Sequence, residues 1–551
     1  MVTKQKALAL PALVAGVLLL ANSAAAGMGP KRQTQASAST GAAARGGAPK
    51  ATASRGRAGD PRGANTARAA RYFDSIKNDP PLLLAFIKAM PKGADLHNHL
   101  SGAVYAEDYI KLAIANQLCV NQNDRALALC PNGQRIDEAI KSNSTLYDKL
   151  IDAWSMRNWQ LSGESGHDHF FATFGKFGAA ISDLTFPDML AAALTQAASD
   201  HLSYAELMFT PNSGGIRKVA QGRWNSDFGV MSKAMTDAGL DAEVKAGLDL
   251  AKQITTTARK RLGCGTPDAG PGCSVEMRFL FQGQRGSPRE LAFALFLAGF
   301  QMVTNPDNRD PQTGEPLLVG INLVQPEDSP VALADFRLQM SMLDYLHQKY
   351  PAVHIALHAG ELAPGLVPAT ELAFHIRESV ERGHAERIGH GVDVMSEDRP
   401  SELLEELASR GVAIEICLSS NDLILGVSGA RHPLSVYLKY NVPVMLATDD
   451  EGVARSSMTN EYMKAVKEQG LGYEQLKTMA RASLQYSFVQ GASLWKDAKR
   501  LVPIDQCRDS AAATMSKECT SFLRSSKKAD LQWRLERDFD EFESRIAREP
   551  M

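Results

Sequence analysis

The sequence predicts an α/β chain folded as a closed (β/α)8 TIM barrel, with helical lid insertions and a C-terminal helical extension. From residue 67 onward, short runs rich in Val, Ile and Leu alternate with longer helix-like segments, the pattern of a parallel sheet joined by crossover helices. Eight such runs occur, the number that closes a barrel. Histidines and acids stand at or just past the C-terminal end of several of them, and in such barrels that rim carries the chemistry.

The expected strands are 94–100, 204–209, 276–281, 319–324, 354–358, 387–390, 412–418 and 443–448. Ahead of them, Lys4 and Lys6, the apolar run 7–20 and Ala24-Ala25-Ala26 read as a secretory signal cleaved after Ala26. The chain is therefore expected to be exported, periplasmic or secreted, and the apolar run is too short to serve as a stable membrane anchor. Segment 27–66, mostly Gly, Ala, Ser, Thr, Arg and Pro, is expected to be a disordered basic linker. A catalytic domain is expected over 67–500 and the helical extension over 501–551, where 531–539 has helix periodicity and should pack outside the barrel.

Six of the seven cysteines fall into sequence-near couples: Cys119 with Cys130, Cys264 with Cys273, and Cys507 with Cys519. Six cysteines allow about 15 pairings, and three short loops are the simplest scheme for an oxidising compartment. Cys417, in an apolar run, is expected to be a buried thiol. Between Gly27 and Arg71 stand nine basic residues and one acid, so the remainder of the chain is acidic, which argues against nucleic acid as substrate or partner.

Four motifs carry the chemistry. In Asp95-Leu96-His97-Asn98-His99 the two histidines are two apart on a strand and point to the same side, so both can reach one metal ion. Imidazole suits zinc. His358-Ala359-Gly360-Glu361 adds a third histidine and, three residues on, a carboxyl that burial beside a metal can turn into a general acid near neutral pH. In Arg387-Ile388-Gly389-His390-Gly391 a histidine stands between two glycines, which permits a ligand to approach closely. Thr448-Asp449-Asp450 ends the eighth run with two acids whose side chains diverge, one able to ligate a metal and the other to meet a substrate. Two carboxylates at the end of an apolar strand would be costly without a cation as partner.

Together these motifs, in this order, resemble the adenosine deaminase family from about Tyr72 to Ser493, and Met90-Pro91-Lys92-Gly93-Ala94-Asp95-Leu96-His97 resembles its secreted growth-factor branch. The resemblance implies one zinc ion per chain held by His97, His99, His358 and Asp449. It implies Glu361 as the acid that protonates N1 of the purine, His390 as the residue that orients or deprotonates the attacking water, and Asp450 as a hydrogen-bonding partner of N7. His99, Ser101 and Gln325 would also meet the substrate, a small purine nucleoside such as adenosine or 2′-deoxyadenosine, and a homodimer is compatible with the family. Two positions depart from the family's pattern. Ser101 stands where an aspartate commonly follows HxHL and binds the ribose 5′-hydroxyl, and Gln325 stands where a glycine NH usually meets N3. They leave adenine or a modified adenosine open as the substrate.

The segment His167-Asp168-His169-Phe170-Phe171-Ala172-Thr173-Phe174 resembles the family's helical lid, and its histidines are expected to serve packing rather than a second metal. Phe374 and His375 are expected on a structural amphipathic helix. A two-metal amidohydrolase would normally need a bridging lysine at the end of the fourth strand, and none occurs between Leu317 and Asp328. The cytidine-deaminase pattern, HxE with PCxxC, is missing. A secreted nucleoside-binding protein without turnover is the alternative from another class, although every expected ligand and acid is present.

Overall fold

The computed structural model describes residues 61–130, 133–497, 502–508 and 515–549. The expected signal peptide, its cleavage site and most of the expected linker lie outside the described residues.

Eight parallel strands form one sheet in sequential order. They are β1 (Gly93–His99), β2 (Leu202–Phe209), β3 (Glu276–Gln284), β4 (Leu318–Val324), β5 (His354–Ala359), β6 (Arg387–His390), β7 (Ala413–Ile416) and β8 (Val444–Leu446). In β4, Leu-Val-Gly-Ile-Asn-Leu-Val, every residue is buried, as a strand with both faces covered requires. The ring closes where Asp449 NH donates to His97 C=O at 2.8 Å and His99 NH donates to Asp449 C=O at 3.2 Å. The expected (β/α)8 barrel is the fold observed.

Two strands are shorter than their apolar runs suggest. The run 412–418 leaves the sheet after Ile416 because Leu418 opens the helix Leu418–Leu425, so its apolar side chain belongs to a helix and not to the strand. The run 443–448 leaves it after Leu446, and Asp449, with φ 60°, has a left-handed backbone that turns the chain away from the strand direction.

A cluster of Met208, Leu280, Val319, Val324, Ala356 and Phe488 fills part of the barrel. Beside it lies a buried ionic layer: Arg387 on β6 reaches Glu206 on β2 and Glu415 on β7, each at 2.6 Å, with its guanidinium 3.8 Å from the Phe488 ring centroid. A buried guanidinium between two carboxylates is satisfied only while both remain.

The helix Pro61–Ile76 begins six residues inside the segment expected to be disordered. Its Ala69, Phe73 and Ile76 recur at helical spacing and are buried, and Thr66 donates to Glu543 at 2.6 Å on the C-terminal helix Lys527–Arg548. That C-terminal helix packs outside the barrel, as its periodicity predicts, and carries Phe539 and Phe542 into the core. Phe374 and His375 do not share one helix: Phe374, at φ −155°, breaks the chain between a 3-10 turn, Glu371–Ala373, and the helix His375–Glu381. The three expected disulfides are present, and Cys417 is a buried free thiol. Among the described residues no helix is long and apolar enough to cross a membrane.

Candidate active site

His97, His99, His358 and Asp449 converge at the C-terminal ends of β1, β5 and β8, with their ligand atoms within 4.8 Å of one another. Asp449 Oδ1 lies 3.4 Å from His97 Nε2 and 3.2 Å from His99 Nε2, and the Nε2 atoms of His99 and His358 are 3.1 Å apart. Each ring is oriented through its other nitrogen. His97 Nδ1 meets Glu415 Oε2 at 2.7 Å, His99 Nδ1 meets Gln282 Oε1 at 3.1 Å, and His358 Nδ1 meets Asn322 Oδ1 at 2.8 Å. The Asn322 oxygen also accepts from the backbone NH of Leu323 and His358, so that atom is an acceptor and His358 Nδ1 must donate.

Three imidazoles that donate from Nδ1 present three bare Nε2 lone pairs to one point. His97 Nε2 and Asp449 Oδ1 are buried without a hydrogen-bond partner. Such groups are tolerable beside a cation and costly without one. Burial opposes charge on His97, yet Asp449 and Glu415 outweigh it and lift the ring to about 10. Asp449 is held well below the usual carboxylate range: burial opposes this, but the His97 and His99 rings beside it prevail. A pocket that attracts a proton this strongly fits a divalent ion, and the outer partners Glu415, Gln282 and Asn322 are what hold its ligands in place.

Glu361 follows β5 by way of Gly360, whose φ is 75° and whose missing Cβ would lie 2.5 Å from Asp393 Oδ1, so glycine is required there. The Gly360 and Glu361 NH groups donate to the two oxygens of Glu327 at 3.2 and 2.8 Å. Glu327 is in turn fixed by His375 at 2.6 Å and Arg285 at 3.6 Å. Burial would raise the Glu327 carboxyl, but Arg285 and His375 outweigh it and bring it down to about 2. Glu361 itself is pushed well above the ordinary carboxyl range by burial and by Asp449. Its Oε1 lies 3.8 Å from His390 Nε2. His390, lowered by burial to about 3, adopts φ 68° at the end of β6. Left-handed backbone at both His390 and Asp449 is strain of the kind that concentrates at functional sites.

Ser101, Gln325 and Asp450 line a cavity of about 350 Å³ together with His99, His358, Glu361 and Asp449. Burial raises Asp450 to about 7. Gly102 backs directly onto it: a Cβ at Gly102 would fall 1.5 Å from Asp450 Oδ1. Gln325 has φ 85° and its side-chain oxygen accepts from Gly286 NH at 2.9 Å, so the amide is tied to the neighbouring loop. The helix Gly166–Phe177 covers the cavity with Phe170, Phe171 and Phe174, while its His169 is bound by Glu164 and the carbonyls of Asp152 and Ser155. No lysine or arginine is among the described residues that line the cavity. A larger recess of about 990 Å³ lies at the opposite end of the barrel, near the starts of β5 and β6, away from these ligands.

Fold and site together define a (β/α)8-barrel protein with three histidines and an aspartate able to hold a metal ion gathered at the C-terminal rim of the barrel. Residues 316–497 match the adenosine deaminase family. Adenosine deaminase from Edwardsiella ictaluri is 34% identical over 151 residues, 27% of this chain and 42% of that protein. Adenosine deaminase from Escherichia coli is 36% identical over 137 residues, 25% of this chain and 38% of that protein. The match thus spans about two fifths of the length of these curated relatives. The structure of Arabidopsis ADAL complexed with IMP superposes with a TM-score of 0.50 at 17% identity, covering 83% of this chain and 99% of that one, a likeness of fold. By these matches residues 316–497 are similar to the adenosine deaminase family.

The four converging residues were visible in the sequence, and the side chains that hold them were not. Glu415, Asn322 and Gln282 come from separate strands and form no local motif. Glu327 was visible in the run after β4, but its role as the clamp of the Gly360-Glu361 turn exists only in three dimensions.

Proposed function

We propose that this protein is an exported, zinc-dependent deaminase that hydrolyses the 6-amino group of adenosine or 2′-deoxyadenosine, giving inosine or 2′-deoxyinosine and ammonia. The observation that carries the proposal is the placement of Glu361: a buried carboxyl, pushed above the ordinary carboxyl range by burial and by Asp449, beside a group of three histidines and one aspartate. A carboxylic acid in that position can hand a proton to a ring nitrogen while a nucleophile attacks the adjacent carbon.

Held by His97, His99, His358 and Asp449, zinc would supply the Lewis acidity that makes water a nucleophile near neutral pH. The chain's own residues do the rest. Glu361 protonates N1 of the purine and relieves the charge that develops on the ring. Asp450, raised to about 7 and so partly protonated near neutrality, can donate to N7, which only accepts. Ser101 offers a hydroxyl to the sugar, and the Gln325 backbone is placed to meet the base edge. Phe170, Phe171 and Phe174 exclude water above the purine.

Charge supports a nucleoside over a nucleotide. A phosphate entering the cavity would find no lysine or arginine among its described lining residues to pair with it. Three disulfides agree with an oxidising compartment and so with export. The test is a panel of adenosine, 2′-deoxyadenosine, adenine and AMP with purified zinc-loaded protein, followed by ultraviolet absorbance and product identification. The proposal expects the two nucleosides to be deaminated and AMP to be ignored. Turnover of adenine alone would move the error to Ser101 and Gln325, and silence on all four would refute it.

A further inference from the structure

The four histidines at the rim differ in what their Nδ1 atoms meet. In His97, His99 and His358 that atom faces an oxygen, so Nδ1 carries a proton and Nε2 is the nitrogen left to face a cation. In His390 it faces the side-chain amide nitrogen of Asn421 at 2.9 Å. The direction of that amide is dictated from behind. The backbone NH of Leu434 donates to His432 Nδ1 at 3.2 Å, so His432 holds a lone pair there. Burial lowers His432 to about 4, and the neutral ring carries its one proton on Nε2. That Nε2 lies 3.0 Å from Asn421 Oδ1 and donates to it, which turns the amide NH2 toward His390. His390 Nδ1 must then accept, and its remaining proton is on Nε2. This Nε2 is buried, has no hydrogen-bond partner, and faces Glu361 across 3.8 Å.

We propose that Leu434 NH, His432 and Asn421 form a one-way hydrogen-bond relay that locks His390 as the Nε2–H tautomer, making it a donor to the attacking oxygen and not the acceptor of its proton. The identity of that oxygen rests on the deaminase reading, whereas the tautomer does not. The same relay keeps His390 out of the metal's ligand set, because no lone pair is left on the nitrogen that faces the site. Asn421 and His432 are fully buried, belong to the chain after β7 and do not line the cavity, so they are positioning residues.

The experiment is two-bond proton–nitrogen NMR of the zinc-loaded full chain labelled with nitrogen-15 histidine, with His390 assigned by the signal lost in His390→Asn. The expected pattern for His390 is Nε2–H. Asn421→Asp keeps the shape but places an acceptor beside Nδ1, so His390 should switch to Nδ1–H. Its kcat should then fall by roughly 10³- to 10⁴-fold, the scale of a wrong-tautomer histidine, with KM within a few-fold of the parent. His432→Gln, whose amide can accept from Leu434 and donate to Asn421, should keep the Nε2–H pattern. An Nδ1–H pattern in the parent protein overturns the proposal, even if Asn421→Asp does not fold. So does Asn421→Asp with tautomer and kcat unchanged. A parent that reads Nε2–H and turns over no aminopurine supports the relay and refutes the deaminase.

Discussion

Replacing Gly102 by alanine tests how closely the site is built, because the position looks innocuous. A Cβ there would lie 1.5 Å from Asp450 Oδ1, 2.3 Å from Cγ and 2.5 Å from Cβ. Rotation about χ1 moves the first two atoms but not the third, which the backbone fixes. Ordinary contact begins near 3.4 Å, so Gly102→Ala must open the two segments by about 1 Å even after Asp450 has rotated away. Misplacement on that scale costs roughly 10²-fold in rate, and overpacking costs about 1–3 kcal/mol of stability. The assay is kcat/KM for adenosine deamination beside zinc content and thermal unfolding, with Gly175→Ala as the control. Gly175 lies on the lid helix with nothing within 4 Å of its Cβ position, so alanine there should leave the rate unchanged and stabilise the helix by roughly 0.5–1 kcal/mol. A Gly102→Ala enzyme with parental kcat/KM would refute the placement of Asp450 against the substrate.

Three further outcomes are expected. Glu361→Gln should keep its zinc and lose kcat by roughly 10²- to 10⁴-fold, whereas His97→Ala should lose metal and turnover together; metal analysis beside the rate separates them. Glu415→Ala removes the partner of both His97 and Arg387, and should weaken zinc binding roughly 10- to 100-fold and destabilise the fold by about 3–5 kcal/mol in denaturant titrations. Glu327 is depressed in the folded state to about 2 from an ordinary value of 4.5, so it binds a proton more readily when unfolded. Its contribution, on the order of 3 kcal/mol, is present above pH 4.5 and is lost as pH falls toward 2; Glu327→Gln should flatten the stability-versus-pH curve across that window, and an unchanged slope would contradict the assignment.

The barrel was legible because eight apolar runs alternate with helical segments and four of them end in histidines or acids, and strand period alone puts His97 and His99 on one side. What sequence could not supply was the point where an apolar run changes structure. Leu418 belongs to a helix and Asp449 to a left-handed turn, and neither has a local signature that separates it from the strand before it. Residues 61–66 read as linker until the C-terminal helix, whose Glu543 accepts from Thr66, is in view. At the site, ligand types and spacing were readable, but the residues that fix each ring's proton, Glu415, Gln282, Asn322 and Asn421, are brought there by tertiary packing alone. In the proposed relay, polarity of those partners, not proximity, distinguishes the three histidines offered as ligands from His390.

The most direct measurement is the rate of adenosine loss, read from its ultraviolet absorbance, for protein stripped by a chelator and then titrated with zinc. The account predicts no turnover in the stripped protein and full recovery at one zinc per chain, with inosine as product. Turnover that survives stripping, or none after zinc has been restored and its binding verified, would contradict it.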